Sequence, residues 1–537
     1  MTAPDDRPTL LQERLLQGPP PVPSESHVAT HLPICARELI ILPFLIVVSD
    51  ITIFRGQGFA GIGFLLTVVP LLLALGIVPR KFDSSIWILA PLLALTSIRL
   101  FWCGSEAAVV AGFVLLCGYA MGLSGLCPHV LQGAVFTAHL VSAGHRGLHL
   151  YSQALARFSP GILRSNAISV ILPAITLVVF GAIFIMANPD LVISFGTGMT
   201  QFIEFLQGLF RDIEPLEIVF CIAAGWISVG LLRPEVKQVV ASDDTPPPAI
   251  VPASSPLYEA YRNTLAMVIG LFGVYLVFEF QTLWLRVFPK GFHYSGYAHE
   301  GAAWLTVALA LTTLLLSMIF RGLILTDPRL PKLRRMAWIW SVENLLLAMA
   351  VFNRLFIYVG FNGMTRMRVI GFLGVASVVV GFILVVIKIG QNRDFVWLFR
   401  RQLWTVTFAG YLYAVLPVDA FVNEYNVRRI LAGDPAPSVQ ISVHPTTAEG
   451  LLRLKPLIHC DDVTIRRGIR ALLAEELPRL ENRIFSQQQR GWTALQIADI
   501  RLRDQLLELK SVWEEDEDQD RRGQAFDDFR SYAYQWY

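Results

Sequence analysis

The stretch Val369-Ile370-Gly371-Phe372-Leu373-Gly374-Val375-Ala376-Ser377-Val378-Val379-Val380-Gly381-Phe382-Ile383-Leu384-Val385-Val386-Ile387-Lys388-Ile389 carries a single charge, Lys388, in 21 residues. As a helix rising ~1.5 Å per residue it is just long enough to cross ~30 Å of hydrocarbon. It is apolar on every face, so it has no side to turn toward water. Runs of the same kind recur near 39–54, 58–78, 85–101, 105–126, 167–187, 216–232, 263–284, 301–320, 337–360 and 403–421. They predict an all-α fold, a polytopic transmembrane helical bundle of about eleven spans with a helical soluble C-terminal tail.

Composition agrees: the chain of 537 residues is 54% hydrophobic and 16% charged, with a mean hydropathy of +0.53. The formal net charge of +2 supplies no basic field, so no nucleic-acid partner is expected. Cys35, Cys103, Cys117, Cys127, Cys221 and Cys460 stand far apart, without the spacing of a disulfide framework or a thiolate metal site. HExxH, GxSxG, P-loop and Gly-rich nucleotide patterns are missing from the sequence, and no cofactor or metal is expected. Of the histidines His129, His139, His145 and His149 in the segment 127–166, read as cytosolic, only His145 and His149 share an i,i+4 face. They read as surface or interfacial side chains.

Residues 1–38, with Gly18-Pro19-Pro20-Pro21-Val22-Pro23, read as a disordered cytosolic leader without a cleavable signal, so the first span doubles as the insertion signal. A membrane bundle of about six spans then occupies 39–232, with 190–210 as a partly embedded loop helix. The Pro-rich linker 233–262, with Asp243-Asp244-Thr245-Pro246-Pro247-Pro248, precedes a second bundle of about five spans at 263–421. Residues 422–537 form the tail, where Thr446 or Thr447 could cap a helix through Leu454. A second helix from Ile465 should end near Pro478, and a third should run from Leu495 to Leu509. Glu514 to Asp518 reads as a solvated acidic run. Lys and Arg concentrate in alternate connections, above all Arg321 to Arg335. The orientation rule therefore places the N-terminus in the cytosol of a bacterial inner membrane and the tail outside.

Phe280-Gln281, then Tyr294-Ser295-Gly296-Tyr297-Ala298 with Gly301, then Asn362-Gly363-Met364-Thr365-Arg366-Met367-Arg368, and finally Asn423 with Asn426-Val427-Arg428-Arg429 resemble a bacterial membrane family. It is catalogued as domain of unknown function 4173, related to 4153. The resemblance covers roughly residues 40–432 and is strongest from 263 onward. It implies a multi-span fold and no assigned activity.

Two groups of residues could carry chemistry. Arg286, Lys290, Arg366, Arg368, Arg428 and Arg429 fall on the outer face, which the orientation rule depletes of basic residues. They suggest an anion-binding surface for a lipid phosphate or an acidic solute, against the alternative of pairing with acidic tail residues. Asp50, Arg99, Glu106, Glu279 and Arg354 form a second layer close to the outer membrane ends. Arg99 with Glu106 and Glu279 with Arg354 are the proposed pairs, since pairing lowers the cost of charge in hydrocarbon. Glu343 and Asn344 lie deeper, either on a path for protons or solute or on a packing seam. Three functions follow: a sensor or envelope-assembly scaffold whose tail binds an envelope protein, a permease for a small or anionic solute, and an intramembrane enzyme on lipid-linked substrates. Membrane lipid is an expected partner of each, and the sequence leaves the oligomeric state open.

Overall fold

The structure is a computed structural model that describes residues 34–77, 84–126, 129–158, 176–177, 180, 214–234, 254–281, 294–320, 322–391, 393, 395–516 and 518–536. Among them every helix or strand-length element is helical. The expected span 167–187, the loop helix 190–210, the leader and most of the Pro-rich linker fall largely or wholly outside the described residues.

Six helices are long and apolar enough to cross a membrane: Phe59–Gly76, Ile86–Cys103, Glu106–Leu123, Tyr258–Glu279, Leu330–Asn362 and Arg366–Gln391. A seventh passes only as a pair, Val396–Val415 with Val418–Leu431, bent by 69°. The break follows Leu416-Pro417, where the ring removes a donor and disfavours helix in the residue before it. Apolar side chains such as Trp87, Met267 and Val274 are largely exposed, as a surface meant for lipid requires. Hydroxyls on these helices bond to their own backbone one turn back, Thr96 Oγ1 to the Leu92 carbonyl at 2.8 Å and Thr312 Oγ1 to Ala308 at 3.0 Å. Such bonds keep these hydroxyls paired in hydrocarbon.

Numbered among the described residues, the first bundle comprises α1 (Ala36–Ser49), α2 (Phe59–Gly76), α3 (Ile86–Cys103), α4 (Glu106–Leu123), α5 (Val130–Phe158) and α6 (Pro215–Leu232). Leu45, Leu66, Leu73, Leu93, Leu100 and Met121 fill its core. The helix α5 lies within the segment 127–166, in which no helix was expected. It buries Phe136, Leu140, Ala143 and Tyr151, and brings Gly144 and Gly147 against Trp226 and Val229 of α6. His145 stacks on Trp226 at 5.6 Å, which is why a histidine stands there.

The second bundle comprises α7 (Tyr258–Glu279), α8 (Tyr294–Ile319), α9 (Leu330–Asn362) and α10 (Arg366–Gln391), around Leu316, Leu333, Trp340, Val351 and Val385. Helix α11 (Phe395–Val415) packs on α10 but also on α3, α4 and α5, where the Tyr411 hydroxyl donates to the Leu92 carbonyl at 2.9 Å. It joins the two bundles.

Past α12 (Val418–Leu431) the chain changes material. Helices α13 (Ser438–Val443), α14 (Ala448–Leu451), α15 (Val463–Gln489), α16 (Ile497–Glu508) and α17 (Gln519–Tyr534) share a core of Ile465, Ile469, Leu480, Leu502, Leu506 and Phe529. The α15 helix runs through Pro478 instead of stopping there, because Leu473, Leu477, Leu480 and Ile484 continue one buried stripe across it. That burial offsets the lost hydrogen bond and ring clash. The last helix, α17, is capped by Asp518 and has no counterpart among the expected elements. Its Phe529 ring fills the space left by the missing side chain of Gly468.

Candidate functional site

The tail does not hang free of the membrane bundles. Its underside is polar, and the bundles meet it with arginines. On α3, one turn from the helix end, Arg99 directs both terminal nitrogens at Glu449 of α14 (Nη2 to Oε1, 2.7 Å). Its side chain is 11% exposed and that of Glu449 2%. At the start of α10, Arg366 makes the same bidentate grip on Asp419 of α12, whose second oxygen also accepts the Thr447 backbone N–H at 2.9 Å. Gly450 connects the two carboxylates, since a side chain there would strike Asp419, Asn423 and Thr446. One arginine from each bundle therefore converges on two adjacent carboxylates, Glu449 in the tail and Asp419 just before it. Water is largely excluded from the Arg99–Glu449 pair, a setting in which charge-assisted bidentate bonds are strong and a missing partner is costly, whereas Arg366 keeps 42% of its side chain exposed.

Polar backbone contacts extend this junction. Asn426, fully buried, accepts the Met364 N–H at 2.7 Å and donates to its carbonyl at 2.9 Å. Gly363 just before it has φ of 87°, a left-handed conformation that glycine adopts without strain. Arg368 donates to the Gly363 carbonyl and lies 3.8 Å from the Tyr358 ring centroid. Arg429 donates to the carbonyls of Val359 and Gly360, both at 2.7 Å, and pairs with Asp434. On the first bundle, Gln496 donates to Leu100 O at 3.2 Å and accepts from the Gly104 N–H. Thr493 accepts the Gln57 N–H at 3.2 Å, and Trp492 stacks edge-on against Phe64 at 5.4 Å. The exposed His444 lies near the same arginines. Burial first, then Arg368 and Arg366, lowers its affinity for a proton below the ordinary histidine value.

Of the six basic residues expected on an anion-binding surface, Arg366, Arg368 and Arg429 are thus committed to groups of this chain. Arg428 pairs with Glu424 one turn away and remains 76% exposed, while Arg286 and Lys290 lie outside the described residues. In the charge layer, the structure brings Glu279 and Arg354 together: Nε donates to Oε1 at 2.7 Å, the second nitrogen takes Oε2, and the Tyr275 hydroxyl bonds both. Arg99 meets Glu449 instead of Glu106, which sits exposed in the first turn of α4 where the helix dipole favours an acid. Asp50 pairs with Arg55 at 3.2 Å, and Arg55 also grips Glu217 of α6. Glu343 and Asn344 stand together in α9, away from these pairs.

One regularity covers the whole molecule. All seven buried carboxylates among the described residues take an arginine: Glu38 with Arg233, Glu217 with Arg55, Glu279 with Arg354, Asp327 with Arg329, Asp419 with Arg366, Glu449 with Arg99, and Asp499 with Arg483. The hydrogen bonds from Arg329, outweighing burial, hold the Asp327 carboxyl below the usual carboxylate range. Of these partners only Glu279 and Arg354 were legible in sequence. Glu449 and Asp419 gave no local signal, because nothing near them in the chain reports that a distant arginine needs a counter-charge.

The fold is a helical membrane bundle, and over residues 44–445 the chain matches the protein family described as domain of unknown function 4153. It belongs to that family. The related family suggested by the motifs is its neighbour, and the match falls on 4153 itself. Neither a curated protein nor a solved structure matches the chain. The matched region of this DUF4153 member includes Arg99, Glu279, Arg354, Arg366, Asp419 and Asn426, and it ends four residues before Glu449. No group of three or more metal-ligating side chains occurs among the described residues.

Proposed function

We propose that this DUF4153 protein is a membrane-embedded sensor or assembly scaffold, in which the helical tail is held against both bundles and is released to engage an envelope partner. The observation that carries this reading is the Arg99–Glu449 pair, which ties the first bundle to the tail, beside Asp419 of α12, which Arg366 grips and which accepts the Thr447 N–H of the tail. A tail fastened to the first bundle by a nearly buried ion pair, and to the second through the Thr447 N–H on Asp419, senses any shift of one bundle against the other. The reading includes eleven crossings, a cytosolic N-terminus, residues 422–537 outside a bacterial inner membrane, and kinship with the neighbouring family 4173. It keeps an anion contact for exposed Arg428, toward lipid headgroups, and for Arg286 and Lys290.

The test uses the full chain in cells. The charge swap Arg99→Glu with Glu449→Arg should restore tail protection that either single change removes, read as protease cleavage within 432–447. A photo-crosslinker in place of Phe485, which is exposed, should form a discrete adduct whose yield rises when the tail is released. Unaltered cleavage and adduct yield in both single variants would sink the proposal. A second reading, a permease, is favoured by the buried Tyr275, Glu279 and Arg354 set between α7 and α9. Solute flux through the purified protein, insensitive to tail release, would select it.

A further inference from the structure

One acidic side chain breaks the pairing rule. Glu343 sits on α9, within a helix long and apolar enough to span a membrane, and its Oε2 is buried without a hydrogen-bond partner. Its other oxygen lies over Gly273 of α7, 3.6 Å from where a side-chain carbon on that glycine would stand. One turn before it, the Trp340 indole N–H is also buried and unpartnered. Asn344, fully buried, uses its Nδ2 on the Trp340 carbonyl at 2.7 Å and leaves Oδ1 unpaired.

Among the described residues no counter-charge faces it. On α7 the charged and titratable groups are Tyr258, Glu259, Tyr261 and Arg262 at one end and Tyr275 with Glu279 at the other, the last two engaged with Arg354. Helix α8 carries no ionisable side chain from Trp304 to Ile319, and α10 offers Lys388, whose Nζ donates to Ser317. On α9 itself, Arg334 and Arg335 precede Glu343 by about two turns, and Arg354 follows three turns on. The neighbours Val342, Leu345 and Leu346 are exposed on the apolar outer surface. A charged carboxylate in such a place is costly, since neither water nor a counter-charge solvates it. Every buried carboxylate among the described residues escapes that cost through an arginine. The only escape open to Glu343 is a proton.

We propose that Glu343 is an intramembrane proton-binding site, holding its proton at neutral pH in the notch over Gly273. The neutral acid gains an O–H donor, and Asn344 Oδ1 one residue on is an acceptor in want of one. This inference is independent of the tail's role, because it rests on α7 and α9 alone.

Dicyclohexylcarbodiimide, a hydrophobic reagent for protonated acids, tests it on the full-length protein in lipid nanodiscs at neutral pH. The acid proton passes to a carbodiimide nitrogen as the carboxyl oxygen adds to the central carbon. Migration of the acyl group from oxygen to nitrogen leaves a stable N-acylurea, with no leaving group. Peptide mapping should find the adduct on Glu343, absent in Glu343→Gln and absent from the arginine-paired Glu279. Infrared spectra should show a protonated carboxyl C=O band, shifted in D2O and lost in the same variant. A wild-type protein that gains no adduct at Glu343 and loses only carboxylate bands on substitution would overturn the proposal. So would a band that appears only when sodium is removed, which would make the occupant a metal cation.

Discussion

Cutting one side of the Glu279–Arg354 pair should be far more damaging than removing both. Each side chain is 1% exposed, and the hydroxyl of Tyr275 is the third member of the set. Removing one partner of a buried pair leaves an uncompensated charge and costs ~3–5 kcal/mol, whereas replacing both with apolar groups of similar volume is close to neutral. The two single variants should differ as well. In Arg354→Leu the remaining carboxyl can discharge by taking a proton, but in Glu279→Leu the guanidinium cannot lose one. Glu279→Leu should therefore be the worse. A chain of 537 residues loses only ~1 °C of melting temperature per kcal/mol, so the single variants should melt roughly 3–5 °C below wild type and the double should recover most of the loss. Thermal unfolding in nanodiscs, followed by tryptophan fluorescence, measures all four proteins. Single variants within about 2 °C of wild type, or a double variant as unstable as the worse single, would refute the idea that these charges are stabilised by each other.

Other expectations concern the tail. Gly58→Val places a side chain against the backbone of Thr493 and Ala494. The turn carrying Trp492 should then lift from Phe64, which a shift in Trp492 emission would report. Phe529 is fully buried against Gly468, so Phe529→Ala should cost ~3–5 kcal/mol, seen as faster proteolysis of 519–536 with the junction to Arg99 intact. Tail docking should weaken in acid through His444. Its folded proton affinity is lowered from the ordinary value of 6.5, so the released form takes the proton first as pH falls below that value. Protease protection should decline through that window and flatten in His444→Gln; an unchanged slope would remove His444 from the account.

How much of this was legible depends on how local the signal is. Six of the eleven expected spans were, since twenty apolar residues in a row admit one solvent: 369–389 lies inside α10, and 105–126 nearly coincides with α4. Depth alone pairs Glu279 with Arg354, because opposite charges on neighbouring spans at one level have few other partners. The same logic joins Arg99 to Glu106 and fails, because Glu449 competes from 350 residues away. A tail treated as a separate body supplies no partners. Pro478 misleads for a related reason: a helix break is a local propensity, and the buried stripe that overrides it is a tertiary fact. The final helix escaped because its apolar residues, Phe526, Phe529 and Ala533, are spread thinly among charges, although their spacing of three and four fits one helical face.

Helix α11 has a consequence for how the molecule is made. Its Tyr411 reaches a carbonyl of Leu92, 319 residues earlier in the chain. At ~5–20 residues per second the ribosome needs roughly 16–64 s to bridge that interval. For all that time the first half is already threaded through the bilayer, with the groove between α3, α4 and α5 still missing its final wall. Lipid or the insertion machinery must occupy that groove until α11 arrives to displace it, so the slow stage of biogenesis is the closing of a seam between early and late helices.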